Sequence, residues 1–203
     1  WQFRRYEFGD STQMIDWRQS AKSDPVYVRE LEWEAAQSVW LWVDGSPSMD
    51  YASDANTGTK GWRAKVLALA LTSLLIRAGE RVALMGSGMI PATGRNTLLR
   101  LASILEHPEG VQTASLPGPE FVPRHGRVIL FGDFLAPLNE TRAAIARLAD
   151  HGVEGHLVQI LDPSEETLPF DGRVEFEGPE GEGTIMIGRV ESVRQAYAEE
   201  LAH

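Results

Sequence analysis

Apolar residues fall into two rhythms along this chain. Short solid runs recur at Ser38–Val43 (SVWLWV), Arg81–Gly86 (RVALMG), Arg127–Phe131 (RVILF) and Gly155–Leu161 (GHLVQIL). Runs of this length, bounded by turn formers, predict strands buried on both faces. Between them apolar residues recur at helical spacing. Gly61–Ala78 carries Val66, Leu67, Leu69, Ala70, Leu74 and Leu75 on its expected inner face, and Asn96–Leu105 carries Leu98, Leu99, Leu101 and Leu105. Pro137–Asp150 is a third helix, with Gly79 and Gly152 ending the first and the last. Strands alternating with helices predict an α/β fold, a doubly wound and mostly parallel sheet with helices on both faces.

The flanks have a different texture. Val26–Trp33 alternates in the strand period, residues 50–60 form a polar loop, and the proline- and glycine-rich residues 107–126 read as an irregular connection. Beyond Asp162-Pro163, Arg173–Phe176 and Gly183–Ile187 predict a hairpin around an acidic glycine-rich turn, and Val190–His203 an amphipathic helix. The expected organisation is an N-terminal segment with an edge strand (1–34), an α/β core (35–162), and a hairpin with helix packed on that core (163–203).

Composition narrows the function. With 203 residues and 43% hydrophobic residues the chain can bury a core, and with 29 acidic against 19 basic residues it lacks the basic footprint of a nucleic-acid binder. The absence of cysteine excludes disulfides, thiolate zinc sites and thiol nucleophiles. No apolar run approaches the ~20 residues of a membrane-spanning helix. The start at Trp1 reads as a fragment of a longer parent.

In an open parallel sheet the ligand crevice lies beyond the carboxyl ends of the strands. Two strands end in acidic clusters there, Val43 running into Asp44-Gly45-Ser46-Pro47-Ser48 and Phe131 into Gly132-Asp133. Asp44, Ser46 and Ser48 alternate along the loop, so their oxygens can point one way. With Asp133 they make a hard-oxygen set suited to Mg²⁺ or Mn²⁺. The same residue types also build an ordinary strand-to-helix turn. An Mg²⁺-dependent phosphohydrolase with Asp44 as nucleophile is a more distant alternative, since Ser46 stands where a second Asp is usual. Thr57-Gly58-Thr59-Lys60 only mimics a phosphate loop, and the five histidines lack zinc spacing. Trp62 opens a helix beside this rim, as a lid residue or a packing residue.

The N-terminal stretch Arg4–Lys22 carries a specific texture with little periodicity. Trp17 reads as an anchor for a loop, and Arg5, Asp10, Asp16, Arg18 and Lys22 as a local ion-pair network. The order R-x-Y-x-x-G-D-x-x-x-x-I-D-W-x-x-S-A-K, then V-R-E-x-E, then V-D-G-S-P-S-M resembles the bacterial family known as domain of unknown function 58. The resemblance spans nearly the whole chain and is strongest in its first fifty residues. Gln13 stands where an Arg is usual in that signature, and Phe8 where a Pro is common.

The resemblance implies a von Willebrand factor A-like fold with a metal-ion-dependent adhesion site. Asp44, Ser46 and Ser48 would ligate the metal, Asp133 would assist from behind, and a threonine from an intermediate loop would complete the set. The nearest match to that loop is Gly94-Arg95-Asn96-Thr97, which makes Thr93 and Thr97 the candidates and puts Arg95 at the usual ligand place. A guanidinium there would oppose a divalent cation and could pair with Asp44 or Asp133. Family members are often linked to MoxR-type AAA ATPases and to assembly, maturation or metal insertion of other proteins, and longer ones carry N-terminal membrane helices.

The expected function is therefore a non-enzymatic protein-interaction module, with no nucleic-acid partner. A MoxR-type ATPase and client proteins are its partners, Mg²⁺ or Mn²⁺ its cofactor, and Arg95 with the N-terminal Asp10 and Asp16 further partner-binding surface. Its place is the cytoplasm, or the cytoplasmic face of the inner membrane if the parent is anchored. The alternative is a metal-free scaffold in which Arg95 neutralises the rim.

Overall fold

A computed structural model describes residues 2–22, 24–30, 36–107, 114–118, 122–179, 181 and 183–201. The chain divides into two units, Trp1–Ala36 and Gln37–His203. In the first, β1 (Gln2–Arg5) pairs antiparallel with β2 (Tyr27–Glu30) from Gln2↔Glu30 to Arg5↔Tyr27. The strand expected at Val26–Trp33 is thus shorter and belongs to a two-stranded sheet of its own. Its expected end at Leu31–Trp33 lies outside the described residues. Between these strands a one-turn helix, α1 (Trp17–Ser20), starts at Asp16, whose carboxylate caps it by accepting from Gln19 N–H at 2.9 Å.

The second unit is built on β3 (Ser38–Val43), where Val, Trp and Leu in unbroken succession leave no polar face to solvate. Leu41 is fully buried, and Trp40 and Trp42 lie in the same core. β3 pairs in parallel with β4 (Arg81–Leu84) on one side and β5 (Arg127–Gly132) on the other, and β6 (Glu154–Gln159) adds beyond β5. The order β4-β3-β5-β6 places β3 and β5, the two strands with acidic ends, side by side at the centre.

Helices α2 (Lys60–Arg77), α3 (Arg95–Glu106) and α4 (Leu138–Asp150) flank the sheet. α2 corrects the expected packing face. Lys60, Gly61, Ala64, Ala68 and Thr72 are its buried residues, whereas Val66, Leu67 and Leu74 are exposed. Small residues at i, i+3, i+4 spacing let the helix axis approach the sheet, and the leucines Leu69, Leu71 and Leu75 fill the flanks. β6 also differs from a doubly buried strand, since all its residues but Val158 are exposed.

After β6 come α5 (Pro163–Thr167), the hairpin β7 (Val174–Gly178) with β8 (Gly183–Ile187), and α6 (Arg194–Leu201). The expected terminal helix from Val190 is split. Val190–Ser192 is a 3₁₀ turn, α6 begins at Arg194, and Ala202-His203 lie outside the described residues. Residues 108–113 and 119–121 of the expected irregular connection also lie outside them. Among the described residues no helix is long and apolar enough to cross a membrane.

Close strand packing sets one requirement on β6. A Cβ at Gly155 would collide with the carbonyl oxygen and Cγ2 of Val128 on β5. Gly155→Ala is therefore expected to destabilise the fold by about 1–3 kcal/mol, against the usual gain from replacing a strand glycine. Thermal unfolding reads this as a Tm drop of about 2–4 °C per kcal/mol in a domain of this size.

Candidate functional site

The parallel ladder carries its register past the end of β3. Asp44 N–H donates to Phe131 O at 2.8 Å, which sets Asp44 beside Gly132. A Cβ at Gly132 would lie 3.0 Å from Asp44 Oδ2 and 3.1 Å from Asp44 Cβ, so only glycine leaves the carboxylate its place without a shift. Asp44 is 1% exposed, and its Oδ1 accepts from Ser46 N–H at 2.8 Å, folding the loop back into an Asx-type turn. Residues 47–50 then form a 3₁₀ turn with Pro47 leading it.

The hydroxyls follow from that turn. Ser46 Oγ and Ser48 Oγ are 3.0 Å apart, and Ser48 Oγ donates to Asp133 Oδ2 at 2.7 Å. The chain bends sharply after Asp133, with Phe134 at φ +54°, a costly conformation for an aromatic residue. The bend lets Leu135 N–H donate to Asp133 Oδ1 at 3.2 Å. Thus Ser46, Ser48 and Asp133 form one hydrogen-bonded array, with Asp44 joined to it through Ser46 N–H.

A residue that the sequence showed only as the end of a phosphate-loop mimic completes the rim. Lys60, the first residue of α2 behind its cap Thr59, is 3% exposed. Its Nζ donates to Asp133 Oδ2 at 2.9 Å and to Glu165 Oε1 at 2.6 Å. Burial pulls the ammonium pKa down, but the bonds to Glu165 and Asp133 outweigh it and hold the pKa above its ordinary value. Glu165 also closes the capping box of α5, its Oε2 accepting from Asp162 N–H at 2.9 Å. Asp162 accepts from Ser53 N–H and from Ser164 N–H and Oγ. Burial works to raise its pKa, yet these bonds hold the carboxyl well below the usual carboxylate range. The signal for this cluster was present as Asp162-Pro163-x-Glu165, a capping-box pattern.

The other expected residues lie elsewhere. Arg95 opens α3 with an exposed side chain and makes no ion pair among the described residues, so the cation on Asp133 is Lys60 and not Arg95. Two carboxylates draw Lys60 inward, while among the described residues no carboxylate pairs with Arg95. Thr97 is buried and spends its hydroxyl on Thr93 O at 3.0 Å, and Thr93 is exposed. No hydrogen bond joins either threonine to the rim among the described residues. In the N-terminal unit Asp10 pairs in fork geometry with Arg4 at 2.9 and 3.0 Å, a cation outside the expected network of Arg5, Asp10, Asp16, Arg18 and Lys22. Those bonds first, then Glu7 N–H, hold the Asp10 carboxyl below its ordinary pKa. Asp16 is buried as the cap of α1 and presents little surface.

The donor set can be weighed against a divalent ion. Two hydroxyls and two carboxylates are hard oxygens, and neighbouring ligands at Mg²⁺–O distances of 2.0–2.1 Å stand about 2.9 Å apart, close to the Ser46 Oγ to Ser48 Oγ separation of 3.0 Å. The donor chemistry suits such an ion, which Asp44, Ser46 and Ser48 would hold. Asp133 Oδ2 already accepts from Ser48 and Lys60, which suits it to a supporting place.

A family model described as protein of unknown function DUF58 matches residues 2–203. Uncharacterized proteins Rv1480 of Mycobacterium tuberculosis and Mb1516 of Mycobacterium bovis are 32% identical over 193 residues, covering 87% of this chain. The chain spans 59% of the length of those relatives. Among solved structures, an aerotolerance-related membrane protein of Bacteroides fragilis is similar at TM-score 0.43 and 19% identity, over 82% of this chain and 89% of that one. A conserved hypothetical protein, BatB of Bacteroides thetaiotaomicron, is similar at TM-score 0.43 and 18% identity, over 82% and 87%.

Two outcomes follow from this geometry. Lys60→Met leaves Asp133 and Glu165 facing each other in a buried place, and removing one partner of such a pair costs about 3–5 kcal/mol; urea unfolding should show that loss. Asp162 contributes stability that is complete above the unfolded carboxyl pKa of about 4 and drains as pH falls toward its lower folded value. The Tm gap between the wild type and Asp162→Asn should therefore narrow steadily below about pH 4.

Proposed function

The chain belongs to the DUF58 family of proteins of unknown function, and from that premise we propose that it is a non-enzymatic protein-interaction module. The reading takes the fold as von Willebrand factor A-like and the rim as a divalent-cation adhesion site. The observation that carries it is the hydrogen-bonded array of Ser46, Ser48 and Asp133 at the ends of two adjacent parallel strands, with Asp44 behind it. In this reading Asp44, Ser46 and Ser48 hold Mg²⁺ or Mn²⁺, and the ion leaves a place for a carboxylate of a partner. Lys60 fixes Asp133, which orients Ser48 Oγ. The proposed partner is a MoxR-type AAA ATPase or one of its clients, on the family resemblance, with assembly or maturation of other proteins as the task. The proposed place of work is the cytoplasm or the cytoplasmic face of the inner membrane, the side on which an ATP-driven partner has its fuel.

A second reading rests on the lysine. With Lys60 Nζ 2.9 Å from Asp133, the rim already owns one fixed cation and can serve as a metal-free scaffold. Burial of Asp44 supports both readings over an aspartyl nucleophile, which needs in-line access to a phosphate ester.

Melting the protein in Mg²⁺ or Mn²⁺ against chelator separates the two. A ligand that binds only the folded state at a hundredfold excess over its Kd adds about 2.7 kcal/mol. The metal reading expects that rise in the wild type and its loss in Asp44→Ala. Equal melting of the wild type in metal and in chelator selects the metal-free scaffold.

A further inference from the structure

Beside the rim lies a groove of about 820 Å³, within the range of sites that take a ligand or a short peptide segment. Ser48 and Asp133 stand at one end of it, and Phe176, Glu177 and Pro179 of the hairpin at the other. Its apolar wall is Leu135, Pro137, Leu168, Phe170 and Phe176, the two phenylalanines meeting edge to face at 5.7 Å. The wall is held from behind. Tyr51 OH and Ser164 Oγ are 2.9 Å apart, and Tyr197 OH donates to Glu165 O at 2.6 Å.

The charges of this groove have one sign. Asp50, Glu140 and Glu177 are exposed on it, Asp133 and Glu165 lie deeper, and no Lys, Arg or His lines it among the described residues. Lys60 offsets one of the two deep negative charges, so the three exposed carboxylates and the residual deep charge set a negative field for an incoming group. A bare metal ion would use the carboxylates and leave Leu135, 45% exposed, and the phenylalanines without purpose. A phosphate-bearing or acidic ligand would be repelled, and a purely apolar one would strand the carboxylates.

We propose that this groove receives an extended segment of a partner protein that sets an aliphatic or aromatic side chain beside a lysine or arginine. The apolar side chain seats against Leu135, Leu168 and Phe176, and the cation faces Glu140 and Glu177. The net charge of −10 on the chain steers such a segment toward it. The proposal rests on the interaction-module reading, but not on the metal part of it.

The test is selection of random 12-residue peptides displayed on phage against the 203-residue protein, followed by fluorescence anisotropy with the enriched peptides made synthetically. Enriched sequences should pair Lys or Arg with Leu, Ile, Phe or Trp. Their affinity should fall at least tenfold in Glu140→Lys with Glu177→Lys, fall similarly in Leu135→Ser, and weaken as salt rises. All three positions are exposed, and Tm measured on each variant shows whether its fold is kept; Glu140→Gln should give a smaller loss in the same direction. No enrichment, enrichment of sequences without cations, or binding indifferent to these substitutions overturns the proposal. Repeating the anisotropy in chelator keeps the two ideas apart. Peptide binding that survives chelator alongside a failed metal melt removes the metal site and leaves the groove standing, and a metal melt that succeeds with no enriched peptide does the reverse.

Discussion

Lys60 carries a full charge into a place where its side chain is 2% exposed, and the site depends on what meets it there. An ammonium withdrawn from water is strongly unfavourable unless opposite charges and hydrogen bonds replace the solvent. Asp133 at 2.9 Å and Glu165 at 2.6 Å do so, one from the end of β5 and the other from α5, 105 residues away in sequence. One side chain therefore pins the start of α2 to the end of a central strand and to the segment after β6. Through Tyr197, which donates to Glu165 O, α6 joins the same cluster. The constraint reaches the hydroxyls too, since Asp133 Oδ2 accepts from both Lys60 and Ser48.

Backbone shape supplies the second half of the arrangement. Asp44 can lie against Gly132 because no Cβ stands between them, and the positive φ of Phe134 turns the chain immediately past Asp133. A left-handed phenylalanine persists only where surrounding packing over-determines it. Here Trp42 supplies part of that packing, its ring centroid 6.5 Å from that of Phe134. The bend hands the chain from the buried rim to Leu135, Ala136 and Pro137, which form one wall of the groove. Rim and groove are thus two consequences of one turn.

What could be read beforehand divides along physical lines. Short solid apolar runs bounded by turn formers favour interior strands, so β3 and β5 were legible, and strand alternation with helices put their carboxyl ends on one rim. Asp44, Ser46, Ser48 and Asp133 followed from that placement, because strand direction fixes where the next residue goes. Lys60 was not legible: a lysine in the first turn of a helix is ordinarily solvated, and its burial is decided by Glu165, which no local pattern connects to it. The same lack of long-range information made Arg95 the expected cation. The face of α2 was misjudged for another reason. Leucine count marks hydrophobicity, but close approach to the sheet is decided by small residues, here Gly61, Ala64, Ala68 and Thr72. β6 looked like an interior strand from its apolar residues, yet a strand at the sheet margin keeps a side open to solvent.

On the proposed reading as an interaction module, the charges and hydrogen bonds around the rim have a definite consequence for binding. Several polar groups around the rim are tied to one another: Ser48 and Lys60 to the Asp133 carboxylate, Ser164 to Asp162, Tyr51 to Ser164 and Tyr197 to the Glu165 carbonyl. Those bonds hold the Asp162 carboxyl below and the Lys60 ammonium above their ordinary pKa values, so both stay charged and in place. Binding gains from the same commitment. A wall whose phenols, Tyr51 and Tyr197, are already held loses less freedom when a segment lies on it, so more of the contact energy remains as affinity. On the proposed docking, the exposed Glu140, Glu177 and Leu135 would be the positions at which partners are told apart.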